Sequence, residues 1–325
     1  MTKVIAAVVG LFAIGITYNT SAPAAEYPTA PIKLLVPFPA GGLVDTVMRI
    51  VVGRLTNELH QPIVIENRAG AAGSIATAVA ARSPADGYTI VAVTDSHATN
   101  PLAIKNLSYD AVLDFSPIAL IGSTPLILTV GKDIPVNSVS EFVALAKTRK
   151  SDPLSCGSLG SGSAAHLASE LFKSLTGTEL NHIPYKGGAP AINDLLAGHI
   201  DSMFLSVTVS KQHYDVGALK PLAIAATSRI QMLPNVPTMK EVGIPMKAGY
   251  WIGLLAPAKT PSNIIEALSR ALEKTISDPT THRRLADLGF VIDFKNPLEF
   301  QEFMRDEIKF WETFVKDNNI HLGVQ

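Results

Sequence analysis

The stretch VPFPAGGLVD, residues 36–45, marks the place where an apolar strand gives way to an amphipathic helix. Pro37 and Pro39 stiffen this connection, so that little order has to be gained when a ligand binds. Gly41 and Gly42 let a ligand approach the backbone without a Cβ atom in the way. A helix N-terminus offers unpaired N–H groups and a partial positive charge, and the carboxyl ends of strands are where open α/β sheets bind ligands. The stretch therefore predicts a carboxylate site built from main-chain amides, although a plain Gly-Gly turn is also consistent with it.

The same arrangement recurs twice along the chain. CGSLGSGSAAHLASELF, residues 156–172, places glycines and hydroxyl groups ahead of a helix for which Ser163 is the predicted N-cap. Ser158 and Ser161 supply further neutral donors there. PYKGGAPAI, residues 184–192, again has two glycines before a helix. Three helix starts of this kind favour a ligand site over coincidental turns.

A fourth stretch, VTDSHATNP at residues 93–101, follows a predicted strand and reads as a loop rich in small hydrogen-bonding groups. His97 is its titratable candidate, and a structural role is favoured for it. Asp45 and Arg49 stand one helical turn apart and are interpreted as a surface pair with a first-turn cap.

Several kinds of protein are disfavoured by what these motifs lack. No Lys follows the glycines, no G-x-G-x-x-G or G-x-S-x-G is formed, and the eight histidines make no H-E-x-x-H. Cys156 is the single cysteine, which rules out an intrachain disulfide and a cysteine-based zinc site, and we expect it to be buried. A net charge of −1 gives no electrostatic reason to expect nucleic acid as a partner.

The first 25 residues have the order of a secretory signal peptide. Lys3 precedes an apolar run from Val4 to Ile16, which is shorter than the roughly 20 residues that a membrane span needs. Polar residues and Ala22-Pro23-Ala24-Ala25 follow it. We expect cleavage near Ala24 or Ala25 and a mature protein outside the cytoplasm.

The remaining chain alternates between strand and helix patterns, beginning as βαβαβ, which predicts an α/β fold with a mainly parallel sheet. Two long apolar stretches of β type, residues 116–130 and 250–261, lie more than a hundred residues apart. They predict two domains between which the chain crosses twice, with a ligand cleft between them. Domain 1 would comprise residues 26–125 and 250–325, and domain 2 residues 126–249.

Eight ordered blocks resemble the Bug-type substrate-binding proteins of tripartite tricarboxylate transporters. They are PFPAGG..D..MR, VIENRAGAAGSI, PADGYTI, NPL…LSYDAVLDFSPIALI, GSLGSGSAAHLASELF, HIPYKGGAPAINDLLAGHID, LPNVPTMKEVG and W.GLLAPAKTP. The resemblance covers essentially the whole mature chain. It implies a two-domain periplasmic-binding-protein fold of type II-like topology and a non-enzymatic periplasmic receptor for a small organic carboxylate. It also implies membrane transporter subunits as partners, and we expect a monomer without a cofactor or a metal.

The resemblance implies that the loops matching Pro37–Asp45 and Ser158–Ser163 hold a carboxylate of the ligand, which we expect to be a dicarboxylate. The chain departs from the family pattern at Leu43-Val44, where Pro or Ser-Thr is common, and at Ala72–Ala76, where Gly-Gly-x-x-Gly is frequent. Bulkier apolar residues beside the first loop suggest an aromatic acid as an alternative. The candidate ligand-binding residues are Phe38, Ala40, Gly41, Gly42, Asp45, Ser74, Thr94, Ser96, His97, Ser158, Gly160, Ser161, Ser163, Tyr185, Gly187 and Asp201.

Two other functions are compatible with the sequence. A secreted hydrolase would use one of the serines at 158, 161 and 163 with His97 or His166, and it requires a Ser–His contact within about 3 Å. A receptor that reports its ligand to a membrane sensor would use the same cleft without feeding a transporter.

Overall fold

The structure, a computed structural model, describes residues 27–185, 188–320 and 322. The predicted signal peptide, residues 1–25, and Gly187 lie outside the described residues. Within the described ranges, no helix combines the length and the apolar character needed to cross a membrane.

The described elements confirm the alternation of strands and helices. The strands are Ile32–Val36 (β1), Ile63–Asn67 (β2), Thr89–Thr94 (β3), Phe115–Gly131 (β4), Leu154–Ser158 (β5), Leu180–Pro184 (β6), Ser202–Ser206 (β7), Leu219–Ile224 (β8), Gly249–Pro257 (β9) and Val291–Lys295 (β10). The helices are Leu43–Leu59 (α1), Ser74–Ala81 (α2), Asp95–Ala103 (α3), Val139–Thr148 (α4), Ala164–Thr176 (α5), Gly188–Ala197 (α6), Val207–Asp215 (α7), Ser262–Ser277 (α8), Pro279–Ala286 (α9) and Pro297–Asp317 (α10).

The strands form two sheets that share β4. The first sheet has the order β2-β1-β3-β9-β4, with β10 on the far edge of β4. The second has the order β4-β7-β5-β6, with β8 also paired to β4. In β4, residues 115–125 pair with β9, and residues 126–130 pair with β7. The chain therefore leaves the first sheet through β4 and returns to it through β9.

The expectation of a mainly parallel sheet is wrong for the molecule as a whole. β1 pairs in parallel with β2 and β3, and β5 pairs in parallel with β6 and β7. β4 and β9 are antiparallel to each other and to their other partners, because one carries the chain out and the other carries it back. The predicted domain boundaries, after residues 125 and 249, fall within β4 and at the start of β9, and they remain a prediction.

Residues 95–103, expected to be a loop, form helix α3. Its composition of Asp, Ser, Thr and Asn favours turns in isolation. In the fold, His97 and Ala98 are buried, and Ala98 packs with Val93 of β3 and Trp251 of β9. Tertiary packing therefore overrides the local preference.

The first sheet lies between two layers of helices, which pack on it through their apolar faces. On α1, the predicted stripe that includes Val47, Met48, Val51 and Leu55 is buried in a core shared with α8. On the opposite side, α10 packs against β4 and α3. Both layers hold the carboxyl ends of β1 and β3 in place, and these strand ends lead into the site.

Candidate functional site

A cleft of about 630 Å³ opens where the two sheets meet, and five helices point their N-terminal ends into it. The N-cap residues of α1, α3, α5 and α7, which are Gly42, Thr94, Ser163 and Ser206, all line it, as does Gly188, where α6 begins. Each of these helices follows a strand at its carboxyl end. The repeated strand-to-helix connections of the sequence therefore converge on one cavity.

The helix ends make this cleft electrostatically suited to an anion. Helices α1, α3 and α7 have no side chain capping their first amides. Unpaired N–H groups at these ends are free for a ligand, and each helix adds a partial positive charge. An oxyanion placed here would be held mainly by backbone donors and not by a formal cation.

Asp45 holds the first loop in place from outside the cleft. Its carboxylate is buried and accepts hydrogen bonds from Gly41 N at 2.8 Å, Arg49 Nε at 2.8 Å and Asn67 Nδ2 at 2.9 Å. The Arg49 hydrogen bond, helped by those from Gly41 and Asn67 and opposed by burial, lowers the pKa of Asp45 to about 2. The interpretation of a surface pair is wrong for Asp45, because these three donors draw its side chain beneath the loop. Asp45 does not line the cleft, so its effect on a ligand is through the loop.

The second loop is held in the same indirect way. Ser163 Oγ donates to Gly160 O at 2.7 Å and accepts from His166 N at 3.3 Å, as the predicted N-cap should. His166 Nδ1 accepts from Gly162 N at 3.0 Å. These bonds fix the backbone so that Ser161 and Ser163 line the cleft.

Ser158 forms a Ser–His pair, but not with the histidines considered for a hydrolase. Its Oγ lies 2.6 Å from His182 Nε2, while His97 and His166 bond elsewhere. Ser158 is fully buried and does not line the cleft, so a substrate has no access to its hydroxyl. Burial also lowers the pKa of His182, and His166 stacks on it with ring centroids 3.9 Å apart. The pair is best explained as packing beneath the second loop.

Around α3, Ser96 reaches the cleft and His97 does not. Ser96 Oγ donates to Ala72 O at 2.8 Å and bonds Thr94 Oγ1 at 3.0 Å. His97 is buried, donates from Nε2 to Ala111 O at 2.8 Å and stacks on Tyr109. Burial lowers the pKa of His97 to about 4, so its ring is neutral.

The structure separates the candidate residues into two groups. Phe38, Gly42, Thr94, Ser96, Ser161 and Ser163 line the cleft together. Tyr185 instead donates to Asp194 Oδ2 at 2.7 Å, and Asp201 Oδ2 accepts from Ser155 N and Oγ, each at 2.7 Å. The cleft lining does not include Ala40, Gly41, Asp45, Ser74, His97, Ser158, Gly160, Tyr185 or Asp201.

Sequence reasoning missed several residues of the cleft. Asp95, the first residue of α3, and Tyr250 of β9 both line it. Apolar side chains contributed by α6, β7 and α7 complete the wall: Ile192, Phe204, Leu205 and Val209. The signal for the β7–α7 contribution was available, because SMFLS at residues 202–206 is another strand that leads directly into a helix.

Two sheets joined by paired crossing strands, with helix N-termini around an intervening cleft, define a periplasmic-binding-protein fold. Residues 47–320 match the model of the tripartite tricarboxylate transporter family receptor, and the chain belongs to this family. It is 34% identical to Protein BugT of Bordetella pertussis over 328 residues, which covers 99% of both chains.

Solved structures agree with this assignment. The periplasmic binding protein BugD is 32% identical with a TM-score of 0.75, and the match covers 91% of this chain and 99% of that one. R. palustris Rpa4515 with adipate is 34% identical with a TM-score of 0.78, and the match covers 90% of this chain and 99% of that one. The predicted family and the predicted fold are thereby confirmed. The family is one of solute-binding receptors and not of enzymes.

Proposed function

We propose that this protein is a periplasmic receptor that captures a small organic carboxylate and delivers it, as a monomer, to membrane subunits of a tripartite tricarboxylate-type transporter. The carrying observation is the convergence of the N-termini of α1, α3, α5, α6 and α7 on one cleft. Such an array of backbone donors binds an anionic group without a formal cation, and a carboxylate is an anion of this kind. The adipate of the R. palustris neighbour is an acid of this class.

Binding would proceed by closure of the two sheets and their helices about the crossing strands β4 and β9. The unpaired main-chain amides of the first turn of α1, which follows Gly42, would take the ligand carboxylate together with the hydroxyl group of Ser161. The Ser163 hydroxyl already donates to Gly160 O and holds the second loop in place. Thr94 and Ser96 would supply further polar contacts. Their positions on both sides of the cleft allow one ligand to tie the two halves together.

The body of the ligand would be apolar. Leu43 stands where the family commonly has a small or polar residue, and it lines the cleft with Phe38, Ile104 and Ile192. These walls favour an acid with an aliphatic or aromatic body over a compact, hydroxyl-rich one, because burial of apolar surface contributes roughly 25 cal/mol per Å².

The proposal is tested by thermal unfolding of the mature protein with a panel of aliphatic and aromatic mono-, di- and tricarboxylates. An acid at about 100 times its Kd is expected to stabilise the folded state by about 2.7 kcal/mol, which is a shift of several degrees. Gly42→Val is expected to abolish the shift, because Gly42 lines the cleft at the start of α1 and a Cβ there already lies 3.2 Å from Pro39 O, so a branched side chain displaces the loop. Gly53→Ala on α1, where a Cβ meets no other atom within 4 Å, is the matched control and should keep the shift. Absence of any shift across the panel, and with amino-substituted acids of the same chain lengths, would refute the proposal.

A further inference from the structure

Asp95 is the one acidic side chain among the described residues that line the cleft. Its Oδ1 is buried and has no hydrogen-bond partner among the described residues. The described part of the chain also provides no ion pair for its carboxylate. A polar atom left unpaired in a protein interior costs roughly 1–3 kcal/mol, and more when it is charged, so this arrangement calls for a partner.

Among the described residues around Asp95, the charge that acts on its carboxyl group is negative, and no cation offsets it. Glu307 of α10 lies near enough for its charge to act on Asp95, and Tyr250 of β9 feels the charge of Asp95 in turn. Burial, reinforced by Glu307 and opposed by the backbone amide of Asp95 itself, raises the pKa of Asp95 to about 7. Tyr250 lines the same cleft.

Stabilisation of the helix end does not account for this carboxylate. An acidic residue in the first turn favours a helix through its dipole, and Asp95 is the first residue of α3. A capping carboxylate accepts hydrogen bonds from the amides of the following turn, however, and Asp95 accepts none of them. Asp95 is therefore an uncapped carboxylate in the wall of the cleft.

We propose that Asp95 binds a protonated nitrogen of the ligand, so that the ligand is a zwitterion with an ammonium group at one end and a carboxylate at the other. This inference rests on the proposed function, because it assumes that the helix N-termini hold the carboxylate. The ammonium group pairs with the Asp95 carboxylate from the cleft side, and its charge offsets the cost of burying that carboxylate. A dicarboxylate of the same length would instead place a second anion against Asp95 and is rejected.

The test compares ligands that differ only in that group. Glutarate and 4-aminobutyrate share a chain of three methylene groups, and they exchange a carboxylate for an ammonium group. Isophthalate and 3-(aminomethyl)benzoate share a meta-substituted ring, and they exchange a carboxylate for a protonated aminomethyl group. Their Kd values are measured by calorimetry at pH 8, where Asp95 is ionised. The wild-type protein is expected to prefer the amino acid of a pair by about 10- to 100-fold, the range for hydrogen bonds to charged groups.

Asp95→Asn is expected to remove that preference while the protein still binds a carboxylate. Glu307→Gln is the matched control, because it removes a neighbouring buried acid that does not line the cleft, and the preference should persist. Tighter binding of the dicarboxylates by the wild-type protein, or a preference that Asp95→Asn leaves unchanged, overturns the inference and leaves the carboxylate receptor standing. Failure of all four acids and of the wider carboxylate panel overturns both.

Discussion

Replacement of Asp45 by Asn tests how the first loop is held in its binding conformation. The carboxylate of Asp45 accepts hydrogen bonds from Gly41, Arg49 and Asn67. All three donors belong to the protein itself. An Asn side chain has one oxygen in place of two and no charge, and its NH2 group would face donors. Asp45→Asn should therefore loosen the loop without changing any residue that lines the cleft.

The size of the effect follows from the pKa. A fall from 3.8 to about 2 on folding corresponds to about 2.5 kcal/mol of stability at neutral pH. Because the Arg49 side chain is 55% exposed, solvent screens part of this interaction. We expect Asp45→Asn to lower the free energy of unfolding by about 1–2 kcal/mol.

Urea unfolding from pH 7 to pH 3 measures the loss of unfolding free energy caused by Asp45→Asn and the direction in which that loss changes with pH. A carboxyl group whose pKa is depressed by folding stabilises the protein above its unfolded pKa, near 4, and loses that contribution as the pH falls toward 2. The difference between wild type and Asp45→Asn should be full at pH 7 and reduced to about half by pH 3. Glu266→Gln, in an exposed carboxylate–arginine pair of the same spacing on α8, should cost less than about 0.5 kcal/mol. A loss no larger than this control, or a difference that does not change with pH, would refute the reasoning.

Three further predictions concern the framework of the site. Gly122→Ala in β4 should destabilise the protein by about 1–3 kcal/mol in urea unfolding, because a Cβ there would collide with the backbone of β10, and a gain in stability would contradict the packing. Ser158→Ala removes the bonds of its hydroxyl to His182 and to Gly160, and it should lower stability by about 1–2 kcal/mol in urea unfolding while a carboxylate ligand still gives a thermal shift; complete loss of the shift would contradict a role confined to supporting the second loop. Burial, followed by the charge of His182, lowers the pKa of His166 to about 4, so stability should fall as the pH drops from about 6.5 toward 4, and His166→Asn should flatten that decline in pH-dependent unfolding.

The parts of the fold that could be predicted are those encoded by neighbours in sequence. Helix α1 was predicted from apolar residues at helical spacing. Helix α5 was predicted from Ser163, the N-cap residue that precedes it. The loops before them were recognisable because a strand, a glycine-containing turn and a helix follow one another without interruption. Such features depend on local backbone preferences, which a single sequence displays.

What escaped prediction depends on contacts between distant segments. β4 and β9 are neighbours although they lie more than a hundred residues apart, and no local pattern states their direction. Helix α3 exists because His97 and Ala98 find a buried environment. Asp45 was read as a surface residue because its partner Asn67, 22 residues away, could not be foreseen.

Asp95 shows how a receptor of this architecture acquires selectivity beyond its shared loops. The helix N-termini provide partial positive charges at several points, and any small carboxylate satisfies them. They cannot by themselves distinguish one acid from another. The single formal negative charge of Asp95 on α3 adds a second requirement, because the ligand must also carry a positive charge at a separate point of the cleft. Rejection of a second anion then contributes as much to selectivity as attraction of the ammonium, because specificity is a difference between affinities. In the proposed mode of binding, one side chain at a helix start thus makes a general carboxylate cleft selective for a zwitterion.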